Sequence, residues 1–420
     1  MLPQEPPWQR MRTHHDVVRY YHTRYDEQLR AGDIEPFVYP YTTFSALIVL
    51  FYLLIPYGNR SLLRNARIPV FILSTWVVAR TIRYTRAKAM APALGIGLLL
   101  AWGIIWVFSI MVLHDPQRDF QRIERMESDG KQKESDDETE DGTGTNSPTK
   151  NDSTQSPSQA HFGPRKRHGE FFWQPYPLTP FSERIDWVLD LFCNFRGAGW
   201  NWRTSSIPPP PSSVQTQTAR NSRTIPRHSK RQHSGQPHVY TTRRDLLISN
   251  LKLFSLGYLI FDGILMIMMH DRYFWGQVTA PPPSYLPTFI THSEPLTRIY
   301  RLALTQLGVK WALQTLFRLS PLFFSGLLGP SLLGARAEPW MYPETWGPYF
   351  IVFDRGLAGW WSAWWHQTFR YAFEQPGTKL VSALRMNSRS PPAKLLKLGI
   401  AFALSGFLHA CGSYTSPGPS

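Results

Sequence analysis

Four tryptophans flank one histidine in residues 359–370, GWWSAWWHQTFR, and 43 residues after His366 a second histidine, His409, closes the apolar run LGIAFALSGFLHA. Imidazole is the side chain that trades a proton near neutral pH, so these two residues are the first candidates for chemistry. If residues 359–373 form a helix, as the absence of internal proline allows, steps of about 100° per residue gather Trp360, Trp361, Trp364 and Trp365 on one arc. Ser362, His366 and Arg370 then stack on the opposite side. His366 would face away from a tryptophan belt that holds the helix at a membrane boundary. Near His409, small residues recur at Gly399, Ala403, Gly406, Ala410 and Ser413, a thin stripe suited to close approach by another helix. An ionisable group ending an apolar segment is costly unless satisfied, and within membranes such groups mark functional sites. The residues alone leave open a structural, hydrogen-bonded His366 and a neutral His409 that caps a helix contact.

The elements that must position these residues follow from hydropathy. The 420-residue chain is 14% aromatic with a formal charge of +15. Its mean hydropathy of −0.27 averages strongly apolar runs with polar inserts, which must be read separately. Residues 41–58, YTTFSALIVLFYLLIPYG, carry no charge and have about the length that crosses roughly 30 Å of hydrocarbon. Residues 68–79 are shorter and bounded by arginines, reading as a snorkelling span or an interfacial helix. Residues 91–113, 246–269 and 393–410 are further spans. Residues 299–333, with Lys310 and Arg318 inside, read as a helix facing protein rather than lipid. Basic residues at both ends of the second run cancel the positive-inside bias, so no orientation is assigned. Asp262 lies in an apolar stretch where an unpaired carboxylate is expensive, making it a candidate to bind substrate or brace a helix. Asp271 reads as an interfacial turn residue.

Residues 127–159 and 205–237 lack the apolar content to offset ordering entropy and read as disordered. The basic run RHSKRQH has no interleaved aromatics, so it reads as a solvated loop and no nucleic-acid partner is expected. The resulting division is a polar segment 1–40, transmembrane helices 41–113, a largely disordered extramembrane insert 114–245 with an ordered segment near 169–203, and a transmembrane region 246–420. Two cysteines, Cys193 and Cys411, without ligand spacing indicate neither a disulfide framework nor a metal site. No signal-peptide core precedes residue 41, so an internal span directs insertion. The fold class is therefore an all-α, polytopic transmembrane helical bundle with two disordered polar inserts.

The motifs WWSAWWHQTFR and SGFLHA, in that order and spacing, resemble the wax-synthase-like branch of the membrane-bound O-acyltransferases. The segments NFRGAGWNWR, GYLIFD, DRYFWG and EPWMYPETWGPYF are similar to the corresponding stretches of fungal members. The resemblance implies acyl transfer from a coenzyme A thioester to an alcohol in a membrane-embedded cavity, with no bound cofactor. It implies that His409 is the catalytic base and that His366 steadies the oxyanion or orients the acyl carbonyl. His366 stands where sterol and diacylglycerol acyltransferases carry asparagine. Trp365 and Gln367 belong to the same motif. Arg370 either meets a coenzyme A phosphate or pairs with Glu374, the second being favoured. Acetyl-CoA and a terpenoid or meroterpenoid alcohol are the expected pair, in the endoplasmic reticulum membrane. A wax-ester synthase is the close alternative, and a transporter or receptor the distant one, though no hydropathy repeat supports it. The chain departs from the family pattern at Ala363 and Trp364, where basic or small polar residues are usual. It also stops soon after His409, where relatives continue with further apolar helices.

Overall fold

The computed structural model describes residues 11–126, 169–221 and 237–417. Helices dominate: α1 (His14–Ala31), α2 (Phe44–Leu54), α3 (Arg67–Tyr84), α4 (Met90–Val107), α5 (Phe181–Cys193), α6 (Ser212–Asn221), α7 (Arg243–Met269), α8 (Glu294–Pro321), α9 (Phe350–Gly359), α10 (Arg370–Ala383) and α11 (Pro391–Thr415). Strand structure in the described residues is confined to two small ladders. Glu35–Pro36 pairs in parallel with Thr85–Arg86, and β1 (Arg122–Arg125) pairs antiparallel with β2 (Phe171–Gln174). The all-α bundle read from the sequence is thus the fold.

Among the described residues, five helical stretches are long and apolar enough to cross a membrane: Ser61–Tyr84, Met90–Val112, Arg243–Met269, Glu294–Ala337 and Pro391–Thr415. Residues 41–58, expected as the first span, hold only the shorter apolar helix Tyr41–Leu54. Its α-helical part has 11 residues, about 16 Å of rise. Ile55 is extended, with ψ 115°, because the following Pro56 disfavours helical backbone at the residue before it. Conversely, the short second run grows into a 24-residue stretch that takes in its flanking arginines. α8 faces protein on one side only. Arg301, Leu304, Gly308, Gln314 and Arg318 are buried, while Leu302, Leu307, Val309, Leu316 and Leu319 are exposed.

Two contacts set the bundle. α7 and α8 approach closely where a Cβ on Gly257 would lie 2.7 Å from Thr315 Oγ1. α11 crosses α4 more tightly still, since a Cβ on Gly97 would fall 2.0 Å from the Cys411 carbonyl oxygen. There Thr415 Oγ1 accepts from the Gly97 amide at 3.0 Å and donates to the Ala93 carbonyl at 2.7 Å. The contact stripe of α11 is Leu408, Gly412 and Thr415, all buried. The stripe expected from the sequence, Gly399 to Ser413, lies on the exposed side, and Cβ atoms at Gly399 or Gly406 would meet nothing within 4 Å.

Outside the spans, β1, β2, α5 and α6 form a polar unit around Arg122, which is 3% exposed. Its Nε donates to Gln174 at 2.8 Å, and it pairs with Asp186 at 2.7 Å, Glu124 at 3.3 Å and Asp190 at 3.4 Å. Burial raises the Asp190 carboxyl to about 6, against the pull of Arg122. The second insert begins later than its composition implies. Residues 205–221 are placed, and in α6 Val214 and Thr218, one turn apart, are buried. Val214 joins Ile123, Phe171 and Trp340, so apolar partners from distant segments supply the burial that this polar stretch lacks in itself. Residues 222–236, and the first insert 127–159, lie outside the described residues.

Candidate active site

Residues 359–373 do not form the continuous helix that their composition allows. Trp360–Trp364 closes as a π-turn, in which the Trp365 amide donates to the Trp360 carbonyl at 2.8 Å. Trp365 then turns extended, with φ −62° and ψ 143°, and regular helix resumes only at Arg370. Side chains satisfy the carbonyls that the break releases. Gln367 Nε2 donates to the carbonyls of Trp361 and Trp365. Arg370 Nη1 donates to the Ser362 carbonyl and to Gln367 Oε1, each at 2.9 Å. A second strand of chain seals the turn: the Gly347 amide donates to the Trp364 carbonyl at 3.0 Å. A Cβ at Gly347 would sit 2.2 Å from the Ala363 carbonyl oxygen, so only glycine allows that approach.

The break reverses the expected placement of His366. The ring lies among the aromatics, not away from them, with centroids of Trp365 and Phe369 at 5.3 Å, Phe317 at 5.6 Å and Trp346 edge-on at 5.7 Å. His366, Gln367 and Thr368 are each at most 8% exposed. Burial, with the nearby charges of Arg196 and His409 adding to it, pushes the His366 pKa down to about 3. The imidazole is therefore neutral throughout the physiological range. Its Nδ1 is buried and has no hydrogen-bond partner. A neutral ring with one unmatched nitrogen, sealed by hydrocarbon, is equipped to meet a polar atom of a bound molecule.

His409 lies on the side of α11 that bears Phe402, two turns earlier, whose ring meets Trp361 at 6.2 Å. α10 and α11 run alongside each other, with a Cβ on Gly377 only 3.0 Å from Lys397 Cα. His409 is close enough for its charge to act on His366. The expected enclosure of His409 is not formed: the residue is exposed, and Cβ atoms at Gly399 and Gly406 on the same helix would meet nothing within 4 Å. A cavity of about 450 Å³ does exist, at the head of α7 between Tyr240, Ser249 and Lys252, and neither histidine lines it.

Of the remaining candidates, Trp365 forms part of the cage, Gln367 fixes the turn, and Arg370 pairs with Glu374 at 2.6 Å as favoured. Asp262 is exposed on α7 and is not brought to the histidines. Asp271 is more than a turn residue. It caps Tyr273 at 3.0 Å, yet it is fully buried and grips Arg301 through Nε and Nη2 at 2.8 and 2.9 Å.

The residues behind the cage were not singled out from the sequence. Arg196 donates to the carbonyls of Pro343 and Glu344 at 3.0 and 2.8 Å, fixing the segment that carries Trp346. Burial lowers Arg196 to about 10. Burial works to raise the Glu344 carboxyl, but Arg318 and Tyr240 outweigh it and hold its pKa below the ordinary value. Arg318 also donates to Asn250 at 3.1 Å. The usable signal was a pair of cations, Lys310 and Arg318, inside an apolar run.

Residues 342–420, which carry both histidines, match the model described as the Membrane bound O-acyl transferase family. O-Mevalon transferase macI of Penicillium terrestre is 26% identical over 251 residues, 57% of this chain and 48% of that protein. O-Mevalon transferase yanI of Aspergillus niger is 25% identical over 56% of this chain and 47% of its own length. Acetyltransferase ple2 of Rhodocybe pseudopiperita is 26% identical over 55% of this chain and 49% of its own. The chain spans about half the length of the curated relatives it matches. No solved structure matches. The resemblance read from the tryptophan-histidine and Ser-Gly-x-x-His motifs is borne out by these comparisons.

Proposed function

We infer that this membrane bound O-acyl transferase region moves an acetyl group from acetyl-CoA to a hydroxyl of a hydrophobic terpenoid or meroterpenoid, in the endoplasmic reticulum membrane. The observation that carries the reading is the buried, neutral His366 with an unmatched Nδ1, and near it an accessible His409 on α11. The relatives' names, one an acetyltransferase and two O-mevalon transferases, favour small or polar acyl groups over long chains.

In this reading His409 accepts the hydroxyl proton as the alcohol oxygen attacks the thioester carbonyl. The imidazole reachable from the open side is the one that can meet an incoming hydroxyl. His366, held at one orientation by four rings, donates to the carbonyl oxygen as negative charge develops on it. The tetrahedral adduct collapses, the carbon–sulfur bond breaks, and the thiolate leaves with the proton that His409 took. A pKa of about 3 makes His366 a poor proton acceptor near neutrality, which is why the roles divide this way.

The test is a competition in membranes that contain the protein, with labelled acetyl-CoA and palmitoyl-CoA offered together with farnesol. The expected product is the acetate ester. A palmitate ester would replace the reading with a wax-ester synthase, and absence of any ester with donors and alcohols of varied size would overturn acyl transfer.

A further inference from the structure

α8 carries four cations, and three of them have acid partners. Arg298, exposed at one end, pairs with Glu294; Arg301 grips the fully buried Asp271; Arg318 holds Glu344. Lys310 lies between the two buried pairs, about 14 Å along the axis from Arg301 and about 12 Å from Arg318, near the middle of the apolar stretch Glu294–Ala337. Among the described residues it has no carboxylate within ion-pair distance. Its ammonium rests 3.6 Å from the centre of the Trp311 ring and 5.9 Å from that of Trp346. Asp262 stands at similar depth on the facing helix, since Gly308 lies against Ile264, but it is exposed on the outer side of α7 and makes no pair with Lys310.

An aromatic face attracts a cation without neutralising it. A charge left at mid-depth of a membrane segment is costly and marks the path of a ligand. The second tryptophan says where that ligand lies, because Trp346 also packs edge-on against His366. We propose that Lys310 is a specificity residue that receives a carboxylate on the reacting part of a substrate, either the acyl group of the donor or the acceptor alcohol. The phosphates of a coenzyme A donor sit across the pantetheine arm from its thioester. A cation that shares a tryptophan with His366 therefore faces the acyl and acceptor end.

This assignment rests on the acyl-transfer reading and is tested by two matched pairs of substrates. Glutaryl-CoA is compared with pentanoyl-CoA as donor to farnesol, and ω-hydroxypalmitic acid with its methyl ester as acceptor from acetyl-CoA. The wild-type protein favours the charged member of one pair by roughly ten-fold or more in kcat/KM. Lys310→Met cancels that preference, and Lys310→Arg retains it. The responding pair identifies which substrate bears the carboxylate. A wild type indifferent to charge in both pairs overturns the assignment, as does a preference that survives Lys310→Met. Equilibrium binding of the unreactive thioether analogues of both donors, and of the acid and ester acceptors, followed by tryptophan fluorescence, reads the same preference without turnover. Charge-selective binding lost in Lys310→Met, with no ester formed from any pair, keeps the assignment and rejects the acyl-transfer reading.

Discussion

The two histidines stand near each other in opposite surroundings. His366 is 8% exposed and wrapped by Trp346, Trp365, Phe317 and Phe369, whereas His409 looks out from a helix face on which Gly406 has open space. The sealed side is built from chain that departs from regular helix: a π-turn, an extended Trp365 and a glycine pressed against a carbonyl. The open side is plain α-helix, packed on its back through Gly412 and open at Gly399 and Gly406. Sealing fixes a ring and holds it neutral; openness leaves a ring able to meet an alcohol. The division of labour proposed for the histidines rests on that contrast.

A large effect is expected from removing the fixed ring. His366→Ala lowers acyl transfer by about 100-fold or more, read as initial rate in membranes with equal protein abundance. The two faces of α11 differ next. Gly412→Leu forces a side chain into Leu98 and costs roughly 1–3 kcal/mol or more, seen as loss of monodisperse protein in detergent, while Gly406→Leu leaves folding unchanged.

Acid then tests the sealed imidazole. His366 stays neutral in the folded protein down to about 3, but takes a proton near 6.5 when unfolded. The stability it contributes is therefore complete above pH 6.5 and declines as pH falls from 6.5 toward 3. The thermal midpoint of His366→Gln accordingly falls less steeply than that of the wild type over this window. Last, Asp262→Asn changes neither turnover nor stability measurably, because the carboxylate is exposed on α7.

Much of this was legible in the sequence. Uninterrupted apolar runs announced the bundle, and the spacing of His366 and His409 within their motifs announced the candidate site. What escaped depends on partners distant in sequence. Nothing in WWSAWWHQTFR alone forbids a helix. The break becomes stable because Gln367 and Arg370 cap the freed carbonyls and because Gly347 arrives from outside the motif. Small-residue periodicity found a possible crossing face on α11, but Gly97 and Thr415 chose the other one. Asp271 looked like a turn residue because its partner, Arg301, is 30 positions away. Lys310 was visible as a cation in an apolar run, yet its isolation emerged only once Arg301 and Arg318 were seen to be paired.

The division of labour is tested most directly by putting asparagine in each histidine's place and measuring acetyl transfer side by side. Asparagine keeps a hydrogen-bond donor but cannot accept a proton at neutral pH. His366→Asn is predicted to retain turnover within about ten-fold of wild type, and His409→Asn to lose it by at least about 100-fold, with membrane insertion intact in both. The reverse ranking, or wild-type turnover in His409→Asn, would contradict the account.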